Sequence, residues 1–561
     1  MPRPQEGIGN IFPIFVFAVI SFHDQTGTDR RADRPPRGLR PHGRRDRAAF
    51  GPDRALGAQR ARTAGQSADV LAARAGRCAG ARAAAGAQGL RRQRRARHRC
   101  RLPPRSHARG HRGGRHGTVA RAAALRTRRA ERDLEDLDVH GERRFGKLFQ
   151  YADLCRFVAE PEIVAAPPAE VLSLSMVAND AASQAALWSD VKNPLFNAQG
   201  GQLPRFFQNL LPEGVLRSHI AQLRGCREND HFELLAACGG DLPGAVSARP
   251  VSVDRATLQR LITQDQDALE MSVVELPMPQ GISVSGVQPK LGLRRQGGRY
   301  VARTRAGAST RVIAKLPVAG RPHMPQLEML SLQMASAAGV AVCHAELAPL
   351  SAISAEHSYA LPDEPEFLAV TRFDREGARR IHFEDFAQVL GFDPLHKYGG
   401  SYLDMALAMR AFPSLGEEAV LELVRRLAVN ELLGNPDAHL KNFGVLYPDG
   451  ASPRFAPAYD IVAYAALQGV EGHALPLLPA AGKAAPKRSS LFSPANVRAF
   501  CFSAGLHEPQ VRRVVGDTAR RAREQWPAMI DGATLPAPWK ARLRQRLQSH
   551  PLLQGMARRG Q

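Results

Sequence analysis

The segment NPDAHLKNF (residues 435–443) puts an Asp, a His, a Lys and an Asn within six positions, and Tyr459-Asp460-Ile461 follows further on. An Asp (Asp437), an Asn five residues later (Asn442) and a second Asp beyond a short apolar run form a set that phosphoryl transfer can use. One carboxylate accepts or orients the attacking hydroxyl, while an Asn oxygen and the other carboxylate hold the metal that bridges the phosphates. The spacing keeps Asp437 and Asn442 on one loop, and Phe443 to Leu446 reads as a strand whose hairpin returns Asp460 beside them. The same residues equally suit an Asn/Asp-rich turn that satisfies its own backbone. Two other segments bear on the choice. Lys315 is the lone cation of the strand-like VIAKLP; it either snorkels from an edge or meets something anionic inside, such as phosphate. SVSGVQPK (283–290) is a Ser/Gly turn ending at Lys290, with backbone N–H groups free to meet phosphate oxygens. It matches neither GxxxxGK[ST] nor GxGxxG, so an ordinary β-turn fits it as well.

The elements that would position these residues are of α+β class. LDVHGERRFGKLFQYADLCRFVA (137–159) reads as strand, Gly-containing turn, strand. An amphipathic stretch follows at 204–222, then a short apolar helix, a Gly-Gly-Asp break and a strand over 231–251. Residues 133–250 thus form a small α+β unit, and 251–280 a junction through Pro277 and Pro279. From Gly281 the pattern is strand, turn, strand, strand, then a helix over 324–338 and a strand near EFLAVTRFDR (366–375). The rest is mainly helical. Ser414 with Glu417 predicts a capping box for a helix that stops at Gly434-Asn435.

In this order and spacing, SVSGVQPK, VIAKLP, RFDR (372–375), FEDFAQVLGF with KYGGSY (383–402), NPDAHLKNF and APAYDIV (456–462) resemble the HipA family. These are Ser/Thr protein kinase toxins of bacterial type II toxin–antitoxin pairs. FFQNLLPEG (206–214), FELLAACGGDLPGAV and LDVHGERRFGKLFQYAD extend the resemblance over roughly residues 135–525. It implies an atypical protein-kinase-like fold: a small α+β N-terminal subdomain, a kinase domain over 281–525 with a mainly helical C-terminal lobe, and a helical tail over 526–561. It implies ATP and Mg as cofactors, Asp437 as catalytic base, and Asn442 and Asp460 as Mg ligands. Lys315 would hold the α/β-phosphates. The loop Val284, Ser285, Gly286, Val287, with Lys290 at its end, would cover them. Arg372 and Phe373 would meet adenine through backbone, Tyr459 would pack near the nucleotide, and His439 and Lys441 would serve the nucleotide and the transition-state charge. Ser283, with Ser285 second, would be the autophosphorylation site. The implied role is growth arrest and persistence through phosphorylation of a Ser or Thr on a cytosolic protein, an aminoacyl-tRNA synthetase being one such target. The implied partner is a HipB-like helix-turn-helix antitoxin, through which DNA is reached mainly indirectly. The alternative is a catalytically silent co-repressor on the same fold. Pro289, Pro436 and Thr371 depart from the family's usual residues, but none removes the base or a metal ligand.

The charge of +24 on 561 residues does not argue for nucleic acid, because it is segregated. Residues 1–132 hold 31 Arg, no Lys and 8 acidic residues, which leaves 46 basic and 45 acidic residues for the remainder. That first quarter is Arg, Ala, Gly and Pro with little to bury, so it reads as disordered or as mistranslated sequence upstream of the real protein. Residues 8–22 are apolar but short for a membrane helix, and chance translation is the expectation there too. The seven Cys are scattered singletons, as in a reducing cytoplasm, and no membrane association is expected. Deleting residues 1–132 is accordingly expected to leave nucleotide binding unchanged.

Overall fold

The computed structural model describes the strand 14–23 and most of residues 142–557; residues 1–13, 24–141, 152, 166–169, 191, 252–270, 273–275, 285, 287, 304–308, 358, 469–471, 480–489 and 558–561 lie outside the described residues. In the N-terminal subdomain β2 (Glu142–Tyr151) and β3 (Leu154–Ala159) form a hairpin with Tyr151 opposite Leu154. The hairpin therefore turns between Tyr151 and Leu154, not at a glycine. Gly146 sits inside β2, where a Cβ would run into the Val158 carbonyl and the Phe157 ring, so it is a packing residue rather than a turn residue. The sheet continues through β4 (Asn197–Ala198) on one side, and through β1 (Ile14–His23) and β5 (Val246–Arg249) on the other. β1 pairs antiparallel with β5, Val19 opposite Arg249, and parallel with β6 (Met271–Ser272). This corrects the expectation for residues 8–22. Ten residues, seven of them Ile, Val or Phe, take the open ladder beside β5, so deleting 1–132 removes a strand from this sheet.

The amphipathic stretch divides at LLPE into helices Arg205–Asn209 and Gly214–Arg224, the second closed by left-handed Gly225. His231–Cys238 is capped by the Asp230 carboxylate and ends at Gly239, where a Cβ would strike the Ala248 carbonyl of β5. Phe145, Leu148, Phe157, Phe206, Phe207, Phe232 and Ile282 share one core, so the segment leading into SVSGVQPK is already anchored there.

The second domain opens with a sheet of order β10-β11-β9-β7-β8: β7 (Lys290–Gln296), β8 (Arg299–Val301), β9 (Val312–Lys315), β10 (Ala345–Pro349) and β11 (Glu366–Thr371). The helix Met324–Ala337 packs on it through Leu327 and Leu330. A three-stranded sheet, β14 (His382–Asp385), β15 (Gly444–Tyr447) and β16 (Arg454–Phe455), bridges to the helical lobe; β12 (Arg375–Glu376) and β13 (Arg379–Arg380) pair with each other. The helix Gly416–Leu433 starts two residues after Ser414 and has Leu415 at its cap with no side-chain hydrogen bond. The predicted capping box is therefore absent, because the chain makes one more turn at Phe412–Gly416 before the helix begins. True capping boxes occur at Asp385/Gln388 and Ser401/Asp404. The helix Glu508–Gly532 is joined to Met324–Ala337 by the Trp526 indole N–H, which donates to the Met334 carbonyl at 2.7 Å.

Buried charge joins the two domains. Asp241, fully buried in the Gly-Gly-Asp break, accepts from Arg372 at 3.1 Å, from Arg375 at 3.0 Å, and from the Thr310 N–H and hydroxyl at 2.9 and 2.6 Å. Burial opposes its ionisation, but Arg372, Arg375, Arg380 and Arg303 outweigh that and hold its carboxyl far below the usual range. A second seam runs through Glu384 on β14, which receives the Ser173 hydroxyl at 2.6 Å, the Leu174 N–H at 2.9 Å and the Tyr447 hydroxyl. Burial pushes Glu384 up to about 7, against the pull of those donors.

Two outcomes follow. Asp241→Asn keeps the shape but leaves buried guanidiniums without their counter-charge, so denaturant unfolding should show a loss of about 3–5 kcal/mol; a loss under about 1 kcal/mol would mean the cluster does not join the domains. For Glu384 the folded state holds its proton more tightly than the unfolded chain. Its contribution is therefore full below the ordinary carboxyl range and is lost as pH rises toward about 7. Glu384→Gln should remove that slope, so that its stability relative to the parent rises by roughly 2–3 kcal/mol between pH 4.5 and 7.

Candidate active site

Lys315 ends β9 and is buried, and its ammonium is bound by both Glu328, on the helix Met324–Ala337, and Asp460. Burial works against its charge, yet the two carboxylates raise its pKa. Asp460 is held below its ordinary value: burial opposes ionisation, and Lys315 and Lys290 outweigh it. Its backbone has φ 53°, a conformation that costs a non-glycine residue energy and persists where neighbours enforce it. Lys290 stands directly opposite Lys315 across the β7–β9 ladder. Burial and the facing Lys315 charge push it down to about 8, with Asp460 pulling the other way. Gly286, at φ 97°, passes so close to the Lys290 ammonium that a Cβ would collide with it.

The loop after Gly434 is tied internally. The Asn435 side chain donates to Asn430 Oδ1 at 2.8 Å and accepts the Asp437 N–H at 3.0 Å. Asn442 Nδ2 donates to the Asp437 carbonyl at 2.7 Å, which commits its nitrogen and leaves Oδ1 as the donor atom available to a metal. Asn442 and Asp460 line one small cavity with Asn435 and Tyr459. The Asp437 carboxylate is 42% exposed and receives the Tyr398 hydroxyl. His439 Nε2 is 3.7 Å from Asp437, beyond hydrogen-bond range, and burial lowers the His439 pKa, favouring neutral imidazole. Asn442 and Asp460 offer hard oxygens. Among the described residues no three His, Cys, Asp or Glu side chains form a metal cage, so an ion here must complete its shell with phosphate oxygens and water, the manner in which Mg is held.

Other predicted residues have different surroundings. Lys441 is buried, and its ammonium donates to the Asn209 carbonyl and Oδ1, both at 3.0 Å, and to Asp385 at 2.9 Å. With its donors spent, it is not free to serve transition-state charge as expected; it braces the loop bearing Asp437 against the N-terminal subdomain. The Arg372 guanidinium is locked to Asp241 and Asp374, and its N–H is given to the Arg311 carbonyl at 2.9 Å, so that N–H is not available to adenine. Phe373 stands 5.6 Å from Tyr459 and 5.4 Å from Phe383 in an aromatic cluster, and the Tyr459 hydroxyl donates to the Lys441 carbonyl at 2.9 Å. Ser283 is buried, its hydroxyl bound to the Leu210 carbonyl, and Val284 packs on the N-terminal core. Ser285 and Val287 lie outside the described residues.

Three residues went unselected in the sequence. Glu328 is one; a lone acid on an apolar helix shortly after Lys315 was its signal. Tyr398, on Asp437, is the second. Glu213 of LLPEG is the third: its carboxylate accepts from Lys397 at 3.0 Å and from the Gly286 N–H at 3.4 Å. Burial opposes its charge, but Lys441 and Lys397 keep its pKa low.

Residues 137–249 match the HipA N-terminal domain and residues 282–526 the HipA-like C-terminal domain. A Sinorhizobium fredii protein named "Putative kinase Y4dM" is 32% identical over 353 residues, 62% of this chain and 81% of that protein. The Serine/threonine-protein kinase toxin HipA of Shewanella oneidensis is 26% identical over 294 residues, 46% of this chain and 63% of that protein. The solved complex of Shewanella oneidensis HipA with HipB and operator DNA has the same fold, with a TM-score of 0.52 at 21% identity over 74% of this chain and 95% of the solved one. Two domain matches in tandem, on either side of the seam that Asp241 closes, and a relative matched over most of its length make this chain a member of the HipA family.

Proposed function

We propose that the chain is an ATP- and Mg-dependent Ser/Thr protein kinase and the toxin of a toxin–antitoxin pair. The observation that carries this is Lys315 bound at once to Glu328 and Asp460, with Asn442 beside Asp460. A lysine at the end of a strand paired with a helix glutamate is the arrangement that orients nucleotide phosphates in protein kinases. Asn442 Oδ1 and the Asp460 carboxylate would hold Mg, which would supply charge neutralisation at the phosphates. The chain's own residues do the rest. Lys315 and Lys290 carry positive charge to the phosphate side, and the Gly286 backbone lies against the Lys290 ammonium. Asp437, partly exposed, takes the proton of an incoming Ser or Thr hydroxyl, with the Tyr398 hydroxyl fixing its orientation until the acceptor arrives. Neutral His439 adds no competing charge beside that base.

Autophosphorylation at Ser283 fits the reading only if its loop first leaves the Leu210 carbonyl, because the hydroxyl is buried. The partner is a helix-turn-helix antitoxin, by analogy with the relative solved with HipB and operator DNA. The substrate is a cytoplasmic protein. No helix among the described residues is long and apolar enough to cross a membrane.

Asp437→Asn tests the base. Transfer of labelled phosphate from ATP, to itself and to host proteins, should fall by roughly 10²–10⁴-fold. The unfolding midpoint should stay put, since the carboxylate is 42% exposed. Undiminished labelling would contradict the assignment.

A further inference from the structure

Phosphoryl transfer needs a cation where charge spreads over the three outer oxygens of the group in flight. Lys441, read from the sequence for that work, gives its ammonium hydrogens to Asn209 and Asp385, and Lys315 is held between Glu328 and Asp460. Lys397 differs from both. Among the described residues its ammonium has one hydrogen-bond partner, the Glu213 carboxylate at 3.0 Å, and its side chain is 18% exposed against 1% for Lys441. Resting on the kinase reading, we propose that Lys397 is a catalytic residue, the cation that binds the γ-phosphoryl group of ATP as it passes to the acceptor.

The chain builds this position locally. In FDPLHKY the Asp393 carboxylate accepts the Leu395 N–H at 2.8 Å, and Pro394 opens a single 3-10 turn over Pro394–His396. Lys397 follows at its end, and its carbonyl accepts the Leu440 N–H at 3.2 Å, which ties it to the loop bearing Asp437. The two sides of the reaction meet at its ammonium. On the base side it lies 5.9 Å from the centre of the Tyr398 ring, whose hydroxyl is bound to Asp437. Tyr398 stands edge-on to His439 at 4.9 Å. Burial lowers the His439 pKa and the Lys397 charge works the same way, against Asp437, so the ammonium is felt beside the base. On the phosphate side, Glu213 Oε2, which takes Lys397, is also the oxygen that the Gly286 N–H meets at 3.4 Å. A Cβ on Gly286 would stand against the Lys290 ammonium and 3.9 Å from Asp460 Oδ2, so one carboxylate oxygen links Lys397 to the candidate phosphate loop and to a candidate metal ligand. An ammonium has three hydrogens, and Glu213 can keep one while phosphate oxygens take the others. In the step, the Ser or Thr oxygen bonds to the γ-phosphorus and its proton goes to Asp437. The bond to the bridging oxygen breaks, and its electron pair leaves on ADP. Throughout, the outer oxygens carry negative charge toward the Asp437 carboxylate, and Lys397 offsets that repulsion.

The test uses the full chain with Mg, and follows the rate of phosphate transfer from labelled ATP, the affinities for ATP and for ADP, and the unfolding midpoint. Lys397→Met should slow transfer by roughly 10²–10³-fold. It should weaken ATP binding and leave ADP affinity near the parent's, because only ATP carries the γ-phosphoryl group. Lys397→Arg, which keeps the charge, should restore part of the rate. Glu213→Gln breaks the ion pair but leaves the ammonium, and should cost transfer far less than Lys397→Met. Equal losses in Lys397→Met and Glu213→Gln, or ATP and ADP affinities that fall together, would make Lys397 a brace between the subdomain and the loop and overturn the proposal. Undiminished transfer by Lys397→Met overturns it too, with the kinase reading intact. Absence of transfer by the parent removes the kinase reading, and the role of Lys397 with it. Where the Met variant lowers the unfolding midpoint, Lys397→Gln, which can still hydrogen-bond Glu213 and drops the charge, is read in its place.

Discussion

A charge taken out of water must find its opposite in the interior, and this constraint decides how the chain is assembled. Asp241 is enclosed by arginines of the second domain, and Arg372 and Arg375 find in it and in Asp374 the carboxylates they need. Neither set could stay ionised and buried alone, since removing either partner leaves several kcal/mol of uncompensated charge. Lys441 repeats the pattern between Asn209 and Asp385. The N-terminal subdomain is thus tied to the second domain by buried charge, and the loop bearing Asp437 takes its position from both.

The same rule explains the site. Lys290 and Lys315 face each other across adjacent strands, where like charges repel. Glu328 and Asp460 make Lys315 tolerable, while Lys290, pushed down to about 8, is the less well compensated of the two. Lys290, pushed down beside the Gly286 backbone, regains basicity when a polyanion comes near. Asp460 spans that place and the small cavity it lines with Asn442, and it does so from a left-handed backbone.

Much of this was legible because it is local. Motifs within one loop or strand, such as NPDAHLKNF or VIAKLP, carry their spacing on their face, and the structure does bring Asn442, Asp460, Lys315 and Asp437 into one neighbourhood. What was not legible is pairing across distance. Lys441 looked like a cation for the reaction until Asn209, 232 positions away, and Asp385 claimed it. Arg372 was read for its backbone alone, and the claim of Asp241, 131 positions away, on its guanidinium had no local sign. A single sequence contains no signal for such partners. Ser414 and Glu417 failed for the opposite reason: the local rule was present, but an extra turn at Phe412–Gly416 displaced the helix start. Composition misled over Ile14–His23, because a poor neighbourhood does not stop a ten-residue run rich in Ile, Val and Phe from joining an open strand edge.

The N-terminal subdomain also reaches the phosphate loop itself. Leu210 and Glu213, three residues apart, hold the Ser283 hydroxyl and the Gly286 N–H, the two ends of the segment that would cover a nucleotide. A backbone N–H has one hydrogen to give. If a phosphate oxygen takes that of Gly286, Glu213 must let it go and keep Lys397, which already binds it more closely. Were the subdomain absent, Ser283, Gly286 and Lys441 would all lose partners together, so the small domain helps to position the candidate site.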